Sequence, residues 1–297
     1  MQGLSLIPGA QGRGIFNEVS SWTATLFGIP GFYAPRLISP FLALPSSPGA
    51  TSFYDTSPLR DTLNELVDFD LLNKGATRLS VGTVNVRTGN FRYFDSTTDK
   101  ITVDHIMASG ALPPGFPPVM IEGEYYWDGG LVSNTPLYYV VDVSNPNDPL
   151  CIFQVDLFLS MGQIPNTILE AIEREKEIRF SSRTRMNTAA AMAEHKLHAA
   201  AMNLLKKLPP NLLDDADVKL LQSMGKEASV TVMHLIKRSN EIDSQSTDYE
   251  FSRLSVEEHW AEGHTDVIKS MASPAWKARK IPAEGMVTFD HGKVVQS

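Results

Sequence analysis

The chain has 297 residues, with 26 Lys+Arg against 34 Asp+Glu and a formal net charge of −8; 42% of its residues are hydrophobic and 20% charged. That balance supplies a sizeable core and excludes a wholly disordered chain. The absence of any Lys/Arg block argues against nucleic acid as a partner.

In chain order, the opening MQGLSLIPGAQGRG lacks a basic region followed by an apolar one, so it does not read as a secretory leader. From Val19 to Tyr54 the only charged residue is Arg36. Prolines at 30, 35, 40, 45 and 48 argue against a long helix there. Residues 1–54 are therefore expected to form an apolar, aromatic, irregular segment, either packed on the core or placed as a flap at an apolar substrate or lipid surface.

Pro58 at the start of SPLRDTLNEL predicts a helix through Leu59, Leu63, Leu66 and Val67. Arg78–Arg87 alternates apolar and polar residues as a strand, and Thr88-Gly89-Asn90 turns it back through FRYF as a hairpin. A short helix over Asp104–Ser109, a short strand over Tyr125–Trp127 and a helix over Pro136–Asp142 follow. LCIFQVDL, from Leu150 to Leu157, is apolar enough to read as a strand buried on both faces. It holds Cys151, the only cysteine, which excludes an internal disulfide framework or a multi-cysteine metal site.

Beyond Asn166 the chain turns helical and charged, with the i,i+4 pairs Glu170/Arg174 and Glu175/Arg179. A further helix or strand–helix stretch is expected around Val218–Arg238 and a helix over Ser255–Met271, with a peripheral tail from Pro274. No run of about 18 apolar residues occurs. The expectation is a soluble, cytoplasmic protein with residues 55–160 as an α/β region and 161–297 as a mainly helical extension.

The richest stretch for chemistry is MASGALPPGFPPVMIEGEYYWDGGLVSNTPL, Met107 to Leu137. Four prolines between Pro113 and Pro118 make a stiff crossing, after which a strand delivers Asp128 into the turn Gly129-Gly130. A carboxylate at a strand end followed by glycines projects into a cleft without crowding, where it can orient a nucleophile or take its proton. On spacing alone, Asp-Gly-Gly is equally an ordinary turn.

As a whole, Ala108-Ser109-Gly110-Ala111, Pro113-Pro114, Phe116-Pro117-Pro118-Val119, Tyr126-Trp127-Asp128-Gly129-Gly130 and Asn134-Thr135-Pro136 resemble the second half of the patatin-like phospholipase domain. The likeness runs from about residue 50 to 265 and includes SFYDTSPLRDTL, RLSVGTVNVRTGNFRYFD and FQVDLF. It implies an α/β, three-layer sheet sandwich, incomplete on its N-terminal side and followed by a helical extension. It also implies hydrolysis of lipid acyl esters by a Ser-Asp dyad that uses no histidine and no cofactor. Asp128 would be the dyad aspartate, with Gly129 and Gly130 as its supporting turn.

The family's other two signatures are a glycine-rich oxyanion loop and a G-x-S-x-G nucleophile elbow. No G-x-S-x-G occurs in this sequence, and Gly9-Ala10-Gln11-Gly12-Arg13-Gly14 matches the oxyanion loop only at its end, so it reads as a flexible terminal loop. The expectation is the C-terminal part of a longer patatin-like protein, inactive alone. The alternative is a non-catalytic binding or scaffold protein that uses this remnant at a partner or membrane surface. Ser109 lacks an elbow and reads as a loop residue near the site.

His195 and His198 sit at H-x-x-H without the internal glutamate of a helical zinc motif, which suggests a surface or helix-packing role. His259 and His264 flank Trp260 without a ligand cluster, so no metal is expected. The charges of residues 174–185 alternate in sign, as on a solvated helix face.

Overall fold

A computed structural model describes residues 10–47, 49–158, 162–225, 227–236, 251–282, 285–290 and 293–294. The chain divides into two compact units, residues 1–134 with 240–255 and residues 135–239 with 256–297.

The first unit opens with a helix, α1 (Ala10–Phe27). This corrects the expected irregular segment and the flexible loop at residues 10–14, while Gly9 lies outside the described residues. The physical reason lies in proline spacing: Ala10 to Ile29 contains none, so the ladder runs until Gly28 takes φ 77° ahead of Pro30.

Beyond it the chain is irregular as expected, apart from β1 (Ala34–Pro35) pairing antiparallel with β2 (Tyr54–Asp55). Tyr33 and Tyr54 are buried, with ring centroids 4.7 Å apart, and Tyr33 lies 5.5 Å from Phe116. Phe53 N and Tyr54 N donate to Pro114 O and Gly115 O, which ties this segment to the proline crossing.

Helices α2 (Ser57–Leu66) and α3 (Phe69–Lys74) follow, the second capped by the Asp68 carboxylate accepting from Leu71 N at 2.8 Å. The sheet comprises β3 (Ser80–Asn85), β4 (Phe91–Asp95), β5 (Val119–Ile121) and β6 (Glu124–Asp128) in the order β4-β3-β6-β5, antiparallel throughout. The hairpin at Thr88–Asn90 forms as read, with Gly89 at φ 71°. Glu122 and Gly123, at φ 52° and 84°, make the two-residue turn between β5 and β6. Helix α4 (Val103–Ser109) packs on this sheet, and Phe94, Ile101, Met107, Ala108, Val119, Ile121 and Tyr126 form the core.

The second unit holds α5 (Leu137–Asp142), β7 (Leu150–Asp156), α6 (Ile168–Leu205), α7 (Ala216–Ser223), β8 (Val230–Ile236), most of α8 (Arg253–Ala272), α9 (Pro274–Lys277), β9 (Met286–Asp290) and β10 (Lys293–Val294). A capping box starts α6: Glu170 N donates to Thr167 Oγ1 at 3.1 Å, and Thr167 N to Glu170 Oε2 at 3.2 Å. The sheet order is β10-β9-β8-β7, with β7, β8 and β9 parallel. Val230 and Val232 pack with Leu137 and Ala191. Met233 packs instead with Phe289 and Trp276.

Two expectations are corrected here. The tail from Pro274 is not peripheral: Trp276 and Phe289 are buried, and β9 completes the parallel sheet. Nor is β7 buried on both faces. Among the described residues it pairs only with β8, and Phe153, Val155 and Leu157 are exposed. The mixed α/β class and the helical stretch of α6 agree with the sequence reading.

Candidate active site around Asp128

Asp128 closes β6, opposite Thr83 of β3. Its amide donates to Ala111 O at 3.1 Å, so the strand end is held by the segment that follows α4. A 3-10 turn, Gly129–Leu131, comes next, and one Asp128 carboxylate oxygen accepts from Gly130 N at 2.7 Å. Among the described residues that is the only hydrogen bond its carboxylate accepts.

The two glycines have separate reasons to be glycine. A Cβ on Gly129 would stand 2.6 Å from both C and O of Gly82 and 3.0 Å from Thr83 N, inside the backbone of β3. A Cβ on Gly130 would stand 3.1 Å from Asp128 Oδ1, crowding the carboxylate that folds back on it. Gly129 thus lets the turn lie against β3, and Gly130 leaves room for the aspartate.

Burial raises the Asp128 pKa above its ordinary 3.8, and the Gly130 N–H opposes that shift only in part. A desolvated carboxylate with one oxygen committed and the other open is a stronger proton acceptor than one in water. The residue missed from sequence is Gly82, at the point of β3 against which the turn packs. A glycine inside a strand marks close backbone approach, and that signal was present in SVGTVN.

Ser109, on α4, is not joined to Asp128: its hydroxyl donates to Ile106 O at 2.8 Å. His195 and His198 lie in the second unit, both buried, with Nδ1 atoms 2.8 and 3.4 Å from Glu227 Oε2. His198 Nε2 lies 3.1 Å from Gly225 O. These contacts tie α6 to the chain entering β8, so the helix-packing reading applies. Trp260 is exposed on α8 between His259 and His264. Along α6, Arg174 meets Glu177 at 2.9 Å and Arg179 meets Glu175 at 3.5 Å. Among the described residues no group of three or more His, Cys, Asp or Glu is placed to hold a metal ion. No helix among them is long and apolar enough to cross a membrane.

Two family models match the chain. One, described as patatin-like phospholipase, covers residues 10–141 and includes α1 and the whole Asp128 turn. The other, described as patatin phospholipase, covers residues 178–283, from α6 through α9. No curated protein matches the chain.

Proposed function

Because this chain belongs to the patatin-like phospholipase family, whose substrates are lipids, we propose that it carries the aspartate half of a Ser-Asp acyl-ester hydrolase site. The observation that supports this reading is the half-buried Asp128 carboxylate, oriented by a single backbone N–H and raised in pKa. In this reading the free carboxylate oxygen takes the proton of a serine hydroxyl as the serine oxygen attacks the acyl carbonyl. The same carboxyl returns the proton to the departing alcohol, and water then releases the acyl group by the reverse sequence.

The serine comes from outside these residues. G-x-S-x-G does not occur among the 297, and Ser109 donates within α4. The chain alone therefore turns over little or no ester, since loss of the nucleophile removes most of a serine hydrolase's rate. Intact-mass analysis after treatment with a fluorophosphonate tests this, with no adduct expected on folded protein. Stoichiometric labelling at one serine, or ester turnover that disappears on Asp128→Asn, overturns it.

A complementary test co-expresses the chain with a family segment bearing the glycine-rich loop and the G-x-S-x-G elbow. Turnover restored with the native chain, and absent with Asp128→Asn, is the expected result. Turnover restored by neither favours the non-catalytic binding role.

A further inference from the structure

We propose that residues 37–44 form a wedge that inserts into an uncharged, zwitterionic phospholipid surface. Leu37, Phe41, Leu42 and Leu44 are 104%, 85%, 80% and 78% exposed, and Ile38 is exposed beside them. Isolated exposed apolar residues are ordinary, but five within eight positions of one irregular segment are not.

The chemistry of the tip selects its occupant. It consists of Leu, Ile, Ser, Pro, Phe, Leu, Ala and Leu, with no charge and no large polar side chain. Protein interfaces concentrate their binding energy in Trp, Tyr and Arg with directional hydrogen bonds, none of which the tip offers. Anionic membranes are met with clustered lysine and arginine. The basic residue adjacent in sequence, Arg36, is committed inward, with Nε and Nη2 donating to the buried Ser52 hydroxyl at 3.1 and 3.0 Å.

A 3-10 turn, Pro40–Leu42, organises the tip. Leu42 N donates to Ser39 O and Ala43 N to Pro40 O, while Pro40 and Pro45 have no N–H to satisfy. Phe53 lies 6.0 Å from Phe41 and supports it from the base. None of this depends on the hydrolase reading.

The test is flotation of the full chain with phosphatidylcholine vesicles, at low and high salt and with phosphatidylserine added. The native chain should float on neutral vesicles, unaffected by salt and without gain from the anionic lipid. The triple variant Leu37→Ser/Phe41→Ser/Leu44→Ser should lose about ten-fold or more of the binding, with an unchanged circular dichroism spectrum. Independently, Phe41→Trp should shift its added emission to the blue on neutral vesicles.

No flotation of the native chain, binding only to anionic vesicles at low salt, equal binding by the triple variant, or no blue shift overturns the proposal. So does sedimentation showing that the native chain is a dimer that the triple variant dissolves, without vesicle binding by either. Asp128→Asn should float like the native chain, so the wedge and the catalytic aspartate can fail separately.

Discussion

In the first unit, β3 meets β4 through the turn at Thr88–Asn90, and β5 meets β6 through Glu122–Gly123. In the second unit, Leu150 of β7 lies beside Val230 of β8, which in turn lies beside Met286 of β9. One sheet is built largely from neighbours in sequence, with local turns setting its register. The other closes long loops between parallel strands, and only packing across its faces specifies which strands meet. The difference teaches where each unit is vulnerable: the first at its turns, the second at its packed faces and, among the described residues, at the open edge of β7.

The largest expected effect tests the packed face of the second unit. Trp276 is 3% exposed, with its ring edge-on to Phe289 at 5.3 Å and to Phe153 at 5.9 Å. Trp276→Ala should cost about 3–5 kcal/mol in a urea unfolding experiment. A peripheral tail would give a loss within about 0.5 kcal/mol, and that result would break the contrast by removing α9 and β9 from the core.

Next comes the turn in the first unit. Gly129→Ala drives a Cβ into the backbone of Gly82 and Thr83, atoms of a paired strand that cannot rotate away. A loss of about 3 kcal/mol is expected, at the upper end for overpacking. Gly89→Ala, whose Cβ meets nothing within 4 Å but whose φ is 71°, should cost less, about 1 kcal/mol. Equal losses for the two would mean that the turn shifts to admit the new Cβ, so that close approach to β3 is not what makes Gly129 a glycine.

The elements legible in sequence were those whose causes are local: α2, the β3–β4 hairpin, α4, the strand before Asp128 and the start of α6. The strand ending at Asp128 and the glycine turn after it were legible too, because residue type and spacing carry that turn. What sequence alone missed depends on partners far along the chain. Trp276 and Phe289 are buried against Met233 of β8, the strand between β7 and β9. The hydrophobicity of LCIFQVDL reports what β7 is built to contact, while its exposure reports what covers it here. α1 was missed because the prolines from 30 onward were extended in effect to residues preceding them.

The open strand supplies a smaller effect. Phe153 and Val155 are 47% and 57% exposed on β7, Leu157 just beyond it is 66% exposed, and among the described residues β7 has one paired edge, an arrangement that promotes association between chains. Val155→Lys should change stability by no more than about 0.5 kcal/mol. It should also lower the concentration-dependent light scattering of the chain. Unchanged scattering would mean that β7 does not drive association and that the two sheets are equally quiet at their edges.

The smallest effect concerns the site itself, and its sign is the informative part. Burial raises the Asp128 pKa above 3.8 in the folded chain, so the unfolded chain ionises first as pH increases. The unfolded state then binds fewer protons than the native one, and stability falls as pH rises from the ordinary carboxyl value of 3.8 through the folded pKa. Above that window the full penalty of a buried carboxylate is present, so at neutral pH Asp128 destabilises the chain that holds it. Asp128→Asn keeps an oxygen for Gly130 N and removes the titration. It should flatten this part of the stability–pH curve and leave the variant slightly more stable at neutral pH. A variant less stable at neutral pH would mean that the ionised carboxylate is favoured in the fold, through donors beyond Gly130. It would then be a turn-capping residue, and the local logic of the first unit would account for it without any chemistry.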